Sequence, residues 1–286
     1  MNRFLFRYES TVTFSAPVTA HSLLLRALPR QEQFQRTEWD SLRLEALLPD
    51  GRSMTVPVRI ASDAFGNRIQ YGCILPPHIR LSMMATGRTV QTPYRICGTA
   101  HGMYSASTTL TLPAGWLLEA AQDAKALLAS HGLDAKSLQK TGSASCHMAN
   151  SPTAMAARIL SSAVHSHMTY APGNTNVTTT ASEAFELGKG VCQDYAHITL
   201  ALLRHVGIPA RYVCGFLPGE GATHAWVEFF ANGVWLAHDP THDRNVDMGY
   251  IKVAHGRDSS DCPVNRGIFT GKVEQRNSVS IKVESV

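Results

Sequence analysis

The sequence predicts an α+β chain, with a β-sandwich-like N-terminal domain over residues 1–112 and a helical and antiparallel-sheet domain over residues 113–286. Three observations carry this. Apolar residues alternate with period two through the first region, the period turns helical near residue 119, and an Asn-Gly pair between apolar runs at 232–233 marks a late hairpin. The 286 residues, 44% hydrophobic and 17% charged, suffice for two such units and are too apolar for wholesale disorder. Lys+Arg 26 against Asp+Glu 22 leaves +4 with no basic run longer than two residues, which argues against nucleic acid as a main partner. No stretch approaches the roughly 18 apolar residues of a membrane span, and Arg3 and Arg7 come too early for a signal peptide. A cytoplasmic protein that engages no membrane is therefore expected.

In the first half, Phe4, Phe6 and Tyr8 alternate with polar residues, as do Val12 and Phe14 and later Leu42, Leu44 and Ala46. Turn residues at Pro49-Asp50-Gly51, Asp63 to Asn67, Pro76-Pro77 and Pro93 separate short β-rich runs, among them Met54 to Ile60 and Leu110 to Leu112. No repeat of roughly 20 to 50 residues is present, which excludes solenoids and propellers. Glu119 to Ser130 is predicted as a helix ending at Gly132, and residues 139–150 as a loop. A second helix starts at Ser151-Pro152, where Ser caps and Pro is tolerated, places Met155, Ile159 and Leu160 on its core face, and stops before Pro172-Gly173. Ser182 is the expected cap of a short helix that ends at Gly188.

Tyr195, Ile198, Thr199, Leu202, Leu203 and Val206 form one apolar stripe closed by Gly207 and Pro209, a helix buried on one face. Its first turn is Val191-Cys192-Gln193-Asp194. Strands follow at Ala210 to Leu217, Thr223 to Phe230 and Val234 to Asp239. The alternation of Val279, Ile281 and Val283 makes residues 272–286 a final strand, with a return to the first domain left open.

Six cysteines spaced by 24, 49, 46, 22 and 48 residues include no CxxC pair and make a poor disulfide framework. One of them is therefore weighed as a reactive thiol, against the ordinary role of cysteine as a small buried hydrophobe. Cys192 stands out because it lies at the positive end of a helix macrodipole, where a thiolate is favoured. His224, 32 residues on at the start of a strand, offers an imidazole, and Asp239, 15 further, ends the neighbouring strand and can orient that ring. Asp194 and His197 share a face of the nucleophile helix, where a structural role outweighs a catalytic one. Trp226 shares a strand face with His224, and packing explains it as well as a place in the site wall. His238 and His242 flank Asp239 and invite a metal reading, but no close Cys/His pair exists and no metal is expected.

Four blocks then carry a resemblance: Gly190-Val191-Cys192-Gln193-Asp194-Tyr195-Ala196-His197, Gly207-Ile208-Pro209-Ala210-Arg211-Tyr212-Val213, His224-Ala225-Trp226-Val227-Glu228 and Asp239-Pro240-Thr241. In this order they resemble the bacterial transglutaminase-like superfamily, which shares the architecture of papain-like cysteine proteases. The resemblance runs on through His255-Gly256-Arg257-Asp258 and Arg266-Gly267-Ile268-Phe269, and the first half is similar to the N-terminal region that accompanies this domain in bacteria. It implies a papain/transglutaminase-like core with the nucleophile helix packed on an antiparallel sheet. It also implies Cys192 as nucleophile, His224 as general base and acid, and Asp239 as the residue that orients it. The implied chemistry is acyl transfer at amide bonds through a thioester, foremost hydrolysis of a peptide or isopeptide, with protein-glutamine cross-linking as the alternative.

The backbone N–H of Cys192 is the obvious oxyanion donor, with Gln193, Trp226 and Tyr170 as candidates to line the site. Eukaryotic-type transglutaminases use a tryptophan upstream of the cysteine, where this chain offers Tyr170, 22 residues before Cys192. Calcium is not implied, since no Asp-x-Asp-x-Asp loop is present, and no cofactor is expected. Relatives often accompany ATP-grasp-type peptide ligases, which implies a peptide or protein substrate and a peptide-ligase system as partner. A catalytically silent binding module is the reading of another class; the presence of all three triad residue types favours catalysis.

Overall fold

The computed structural model describes residues 2–134 and 151–286, so the loop expected at 139–150 lies outside the described residues. The N-terminal half is organised around β1 (Asn2–Leu25), whose Phe4, Phe6, Tyr8, Val12 and Phe14 point inward by strict alternation. Its first part pairs with β6 (His78–Gln91), which continues to β2 (Gln35–Leu47) and β3 (Ser53–Thr55). Its last part pairs with β5 (Arg68–Ile74), followed by β4 (Arg59–Ser62). A register shift between Thr13 and Val18, with Ala20 at φ +48, bends β1 from one sheet into the other. The bend lets a single strand belong to both layers of a sandwich.

The expected run Met54 to Ile60 is split into β3 and β4 around Pro57, which has no N–H for a sheet ladder. Leu110 to Leu112 is a turn rather than a strand. The Thr108 N–H and hydroxyl bond to the Thr111 hydroxyl, and the Thr111 N–H donates to the Thr108 carbonyl, which closes the backbone locally.

The C-terminal half places β13 (Arg244–Asn245), β12 (Val234–Asp239), β11 (His224–Ala231), β10 (Ala210–Phe216) and β14 (Ile251–Gly256) in one antiparallel sheet, in that order. Asn232 at φ +50 and Gly233 at φ +83 form the predicted hairpin turn between β11 and β12. Against one face lies α4 (Cys192–His205), surrounded on its far side by α1 (Gly115–Ser130), α2 (Pro152–His167) and α3 (Ala181–Leu187). For this reason α4 is buried on all faces from Asp194 to Arg204, rather than on one stripe. The sequence pattern marks the side that meets the sheet; the other helices cover the rest.

Smaller departures have local causes. Helix α1 begins at Gly115, four residues before the expected start, and Met155 on α2 is exposed while Ala154, Ala157, Leu160 and Val164 face the core. Thr180, not Ser182, caps α3, in a capping box with Glu183. The Ser182 hydroxyl instead accepts from the Ala114 N–H and donates to the Leu112 carbonyl, tying α3 to the start of α1.

The two halves exchange strands. Ile96–Cys97, β7, pairs with β12, while β15 (Asn265–Thr270) and β16 (Gln275–Ser285) return to pair with the two parts of β1. The sheet face opposite α4 packs on the sandwich, with Phe216 stacked on Tyr8 at 5.4 Å between ring centres and Ile251 and Val253 in the same cluster. Among the described residues no helix is long and apolar enough to cross a membrane.

Candidate active site

The start of α4 is fixed by a short parallel pair, β8 (Thr169–Tyr170) with β9 (Lys189–Gly190). Asp194 folds back, its Oδ2 accepting from the Val191 N–H and the Thr175 hydroxyl, both at 2.7 Å. A Cβ on Gly190 would stand 2.4 Å from that same oxygen, so only glycine leaves room for this cap. Cys192 is thereby held at the first helical position, half-buried, where first-turn N–H groups lack intrahelical acceptors and can face a developing oxyanion.

His224 opens β11 and Asp239 closes β12, and the hairpin between them brings the two side chains together. His224 Nε2 donates to Asp239 Oδ2 at 2.7 Å, which leaves Nδ1 to face Cys192. Burial on its own would favour neutral imidazole. The hydrogen bonds to Asp239 and Cys192, and the charges of both, outweigh it and push His224 up to about 10. Asp239 is held well below the usual carboxylate range: burial opposes ionisation, but its bonds to His224, His242 and Tyr250 prevail.

Three of the predicted lining residues sit around this centre in different ways. Tyr170, half exposed on β8, has its hydroxyl raised by burial first and then by the charges of Cys192 and Glu220. The Gln193 amide donates to the Asn176 carbonyl at 3.4 Å and lines a groove of about 530 Å³ with Val177, Thr178, Tyr212, Thr223 and Arg266. Trp226 is fully buried, backs the His224 ring at 6.3 Å between centres and donates its N–H to the Tyr94 hydroxyl at 3.3 Å. Of the two helix residues read as structural, Asp194 is the cap described above, and His197 accepts from the Ser259 N–H at 3.1 Å.

Sequence reasoning missed the full dress of Asp239. His242 Nδ1 and the Tyr250 hydroxyl both donate to the same Oδ2 at 2.7 Å, the Thr241 N–H donates to Oδ1 at 2.9 Å, and Arg244 Nε donates to the Tyr250 oxygen at 2.8 Å. The Asp239-Pro240-Thr241-His242 run carries an Asx-turn signal that could have found His242. Tyr250, 11 residues on and beyond β13, has none. His238 lies 3.9 Å from Asp243, its second nitrogen has no bonding partner among the described residues, and it takes no part in the triad. Among the described cysteines, Cys73, Cys97, Cys192, Cys214 and Cys262 are free thiols; burial pushes Cys214 up to about 12 and Cys262 well up also.

Residues 139–240 match the family model of the transglutaminase-like superfamily. A Mycobacterium leprae protein without an assigned function is 40% identical over 117 residues, which cover 37% of this chain and 42% of that protein. The match thus spans less than half the length of that relative. A protein-glutamine gamma-glutamyltransferase of Pseudomonas aeruginosa is 28% identical over 134 residues, 40% of this chain and 20% of the other. A solved structure of a candidate cysteine protease from Cytophaga hutchinsonii aligns over 100% of this chain and 91% of its own, with TM-score 0.69 at 19% identity. It shows the same fold across both halves.

Proposed function

We propose that this chain, a member of the transglutaminase-like superfamily, is a cysteine-dependent acyl-transfer enzyme that hydrolyses an amide bond in a peptide or isopeptide. The observation that supports it is the His224–Asp239 hydrogen bond, with the imidazole beside a Cys192 that opens a helix. With the proton resting on His224, the sulfur attacks the carbonyl carbon, and the Cys192 N–H faces the resulting oxyanion. As the C–N bond breaks, the imidazolium returns the proton to the departing amine and a thioester remains. Water, deprotonated by His224, then releases the acid and restores the thiol. Asp239 keeps the ring oriented and its charge favourable throughout.

Replacement of water by an amine would give transamidation, the second reading, which the likeness to a glutamyltransferase favours. Incubation with a peptide library, with and without a labelled primary amine, separates the two: new carboxyl termini mark hydrolysis, and label on glutamine marks transfer. The reading also predicts that iodoacetamide labels Cys192 at pH 6 at least about tenfold more slowly in His224→Ala than in wild type. Equal rates at Cys192, resolved by peptide mass spectrometry, would count against catalysis and for a binding module.

A further inference from the structure

The loop that joins β10 to β11 brings a carboxylate to the edge of the site. Gly219 at φ +87 and Gly221 at φ +70 let the chain turn tightly on either side of Glu220, conformations that side chains with a Cβ rarely adopt. The Gly221 carbonyl accepts from the Ile281 N–H of β16 at 2.9 Å, which holds the loop against the sandwich. From there Glu220 Oε1 reaches His242 Nε2 at 3.0 Å, while the other His242 nitrogen bonds Asp239. The rings of His242 and His224 stand 5.0 Å apart between centres. One donor atom each from Glu220, His224 and His242 lies within 4.8 Å of the others, and this is the one such trio among the described residues.

We propose that Glu220, His224 and His242 form a binding site for a divalent transition-metal ion of the zinc type, and that the bound ion holds the enzyme inactive. The donor set decides the class of ion. Two imidazole nitrogens and one carboxylate oxygen suit zinc, whereas calcium and magnesium take oxygen ligands. Bonds of about 2.0–2.1 Å in a tetrahedron put donor atoms roughly 3.4 Å apart. The Glu220–His242 spacing is already near that value, and the side chains of both are partly exposed, so an ion can enter from the mouth of the site. The ion displaces the hydrogen between His242 and Glu220 and the hydrogen on the His224 nitrogen that turns to it, and both leave to solvent. A fourth position remains for water or the Cys192 sulfur.

Inhibition follows from what His224 already holds. One of its nitrogens serves Asp239 and the ring also bonds Cys192, so whichever nitrogen turns to the ion, the histidine gives up its orienting partner or its nucleophile. The inhibitory half of the inference rests on the role proposed for His224 above; the binding half does not.

The test uses the full chain, free of tags and stripped by chelator, with exposed Cys73 and Cys97 replaced by serine in every arm. Zinc uptake is measured by competition with a chromophoric chelator, and Cys192 labelling by iodoacetamide is followed with and without zinc. One zinc per chain is expected, with slowed labelling at Cys192. Glu220→Gln should weaken binding by at least about tenfold, the least that loss of a partner at a metal site costs. Each variant's own zinc-free labelling rate is the baseline against which its zinc effect is read, and Cys192→Ser should still bind. No uptake, uptake unchanged in both Glu220→Gln and His242→Asn, or uptake lost in Cys192→Ser would each overturn the site. Binding that leaves Cys192 labelling as fast as before would overturn inhibition alone. Failure of the hydrolysis assay would leave the binding result standing.

Discussion

Asp239 is the residue on which the candidate site closes. A buried carboxylate is costly unless its lone pairs are satisfied, and here three side-chain donors share one oxygen while backbone N–H groups take the other. Tyr250→Phe removes one donor but keeps the ring's packing against Trp226, so it should destabilise the fold by about 1.5–3 kcal/mol, read as a lower urea midpoint with unchanged slope. The His224–Asp239 pair has its own pH signature. His224 titrates higher in the folded chain than in the unfolded one, so its stabilisation is complete below about pH 6.5 and is lost as pH rises through about 10. The stability difference between wild type and His224→Ala should therefore shrink from pH 7 to pH 10; a constant difference would mean the pair is not ionic. Cys192, His224 and Asp239 were legible because each ends an element with its own local signal. Glu220 and Tyr250 reach the site through loops whose paths no local pattern encodes.

At the level of elements, β14 shows what strand patterning leaves out. Among the described residues its outer edge meets no strand; side-chain amides from the sandwich pair with it instead. Asn67 donates to the His255 carbonyl at 2.8 Å and accepts from the His255 N–H at 2.9 Å, and Gln35 makes the same two bonds to Lys252 at 2.8 and 2.9 Å. Both amides are essentially fully buried, which is unusual for these residue types and is compensated by this edge pairing together with their bonds to Arg30, Asp63 and Gln91. Asn67 looked like an ordinary turn residue because its partner on β14 lies 188 positions away. Asn67→Ala orphans two backbone groups at once and should cost about 2–4 kcal/mol in chemical denaturation, against near zero for an exposed turn asparagine. Helix α4 makes the converse point: its start, stop and sheet-facing stripe were readable, because Gly, Pro and apolar spacing act locally. Its complete burial was not, since that depends on α1, α2 and α3 converging on it.

Across the whole molecule, the halves are joined by buried charge as well as by exchanged strands. Glu228, on the sheet that carries His224, is fully buried; burial would raise it, yet Arg211 and Lys252 hold it at about 2, and Lys252 also reaches Glu32 of the N-terminal half at 3.0 Å. The sandwich was legible from alternation, but its closure by β15 and β16 was only partly so, because a strand's pattern shows which face is buried and not which partner it finds. That sandwich also contains an acid-sensitive centre. His78 Nδ1 donates to the Pro76 carbonyl at 3.1 Å, so its Nε2 accepts from His21 Nδ1 at 3.0 Å, and the stacked pair is walled by Phe14 and Phe269. Burial first, and His78 second, hold His21 down at about 4. An unfolded histidine titrates near 6.5, so between these values the unfolded chain binds more protons and stability rises with pH. The contribution is therefore intact above about pH 6.5 and drains away as pH falls through about 4, reaching on the order of 2–3 kcal/mol. His197, also held at about 4, and His255 add to the same slope, so removing one histidine should remove at most one proton from it. His21→Phe keeps an aromatic ring in the stack and should make the fall in unfolding free energy from pH 6.5 to 4.5 shallower than in wild type. Parallel curves for the two proteins would show that His21 takes up its proton in the folded chain as readily as in the unfolded one.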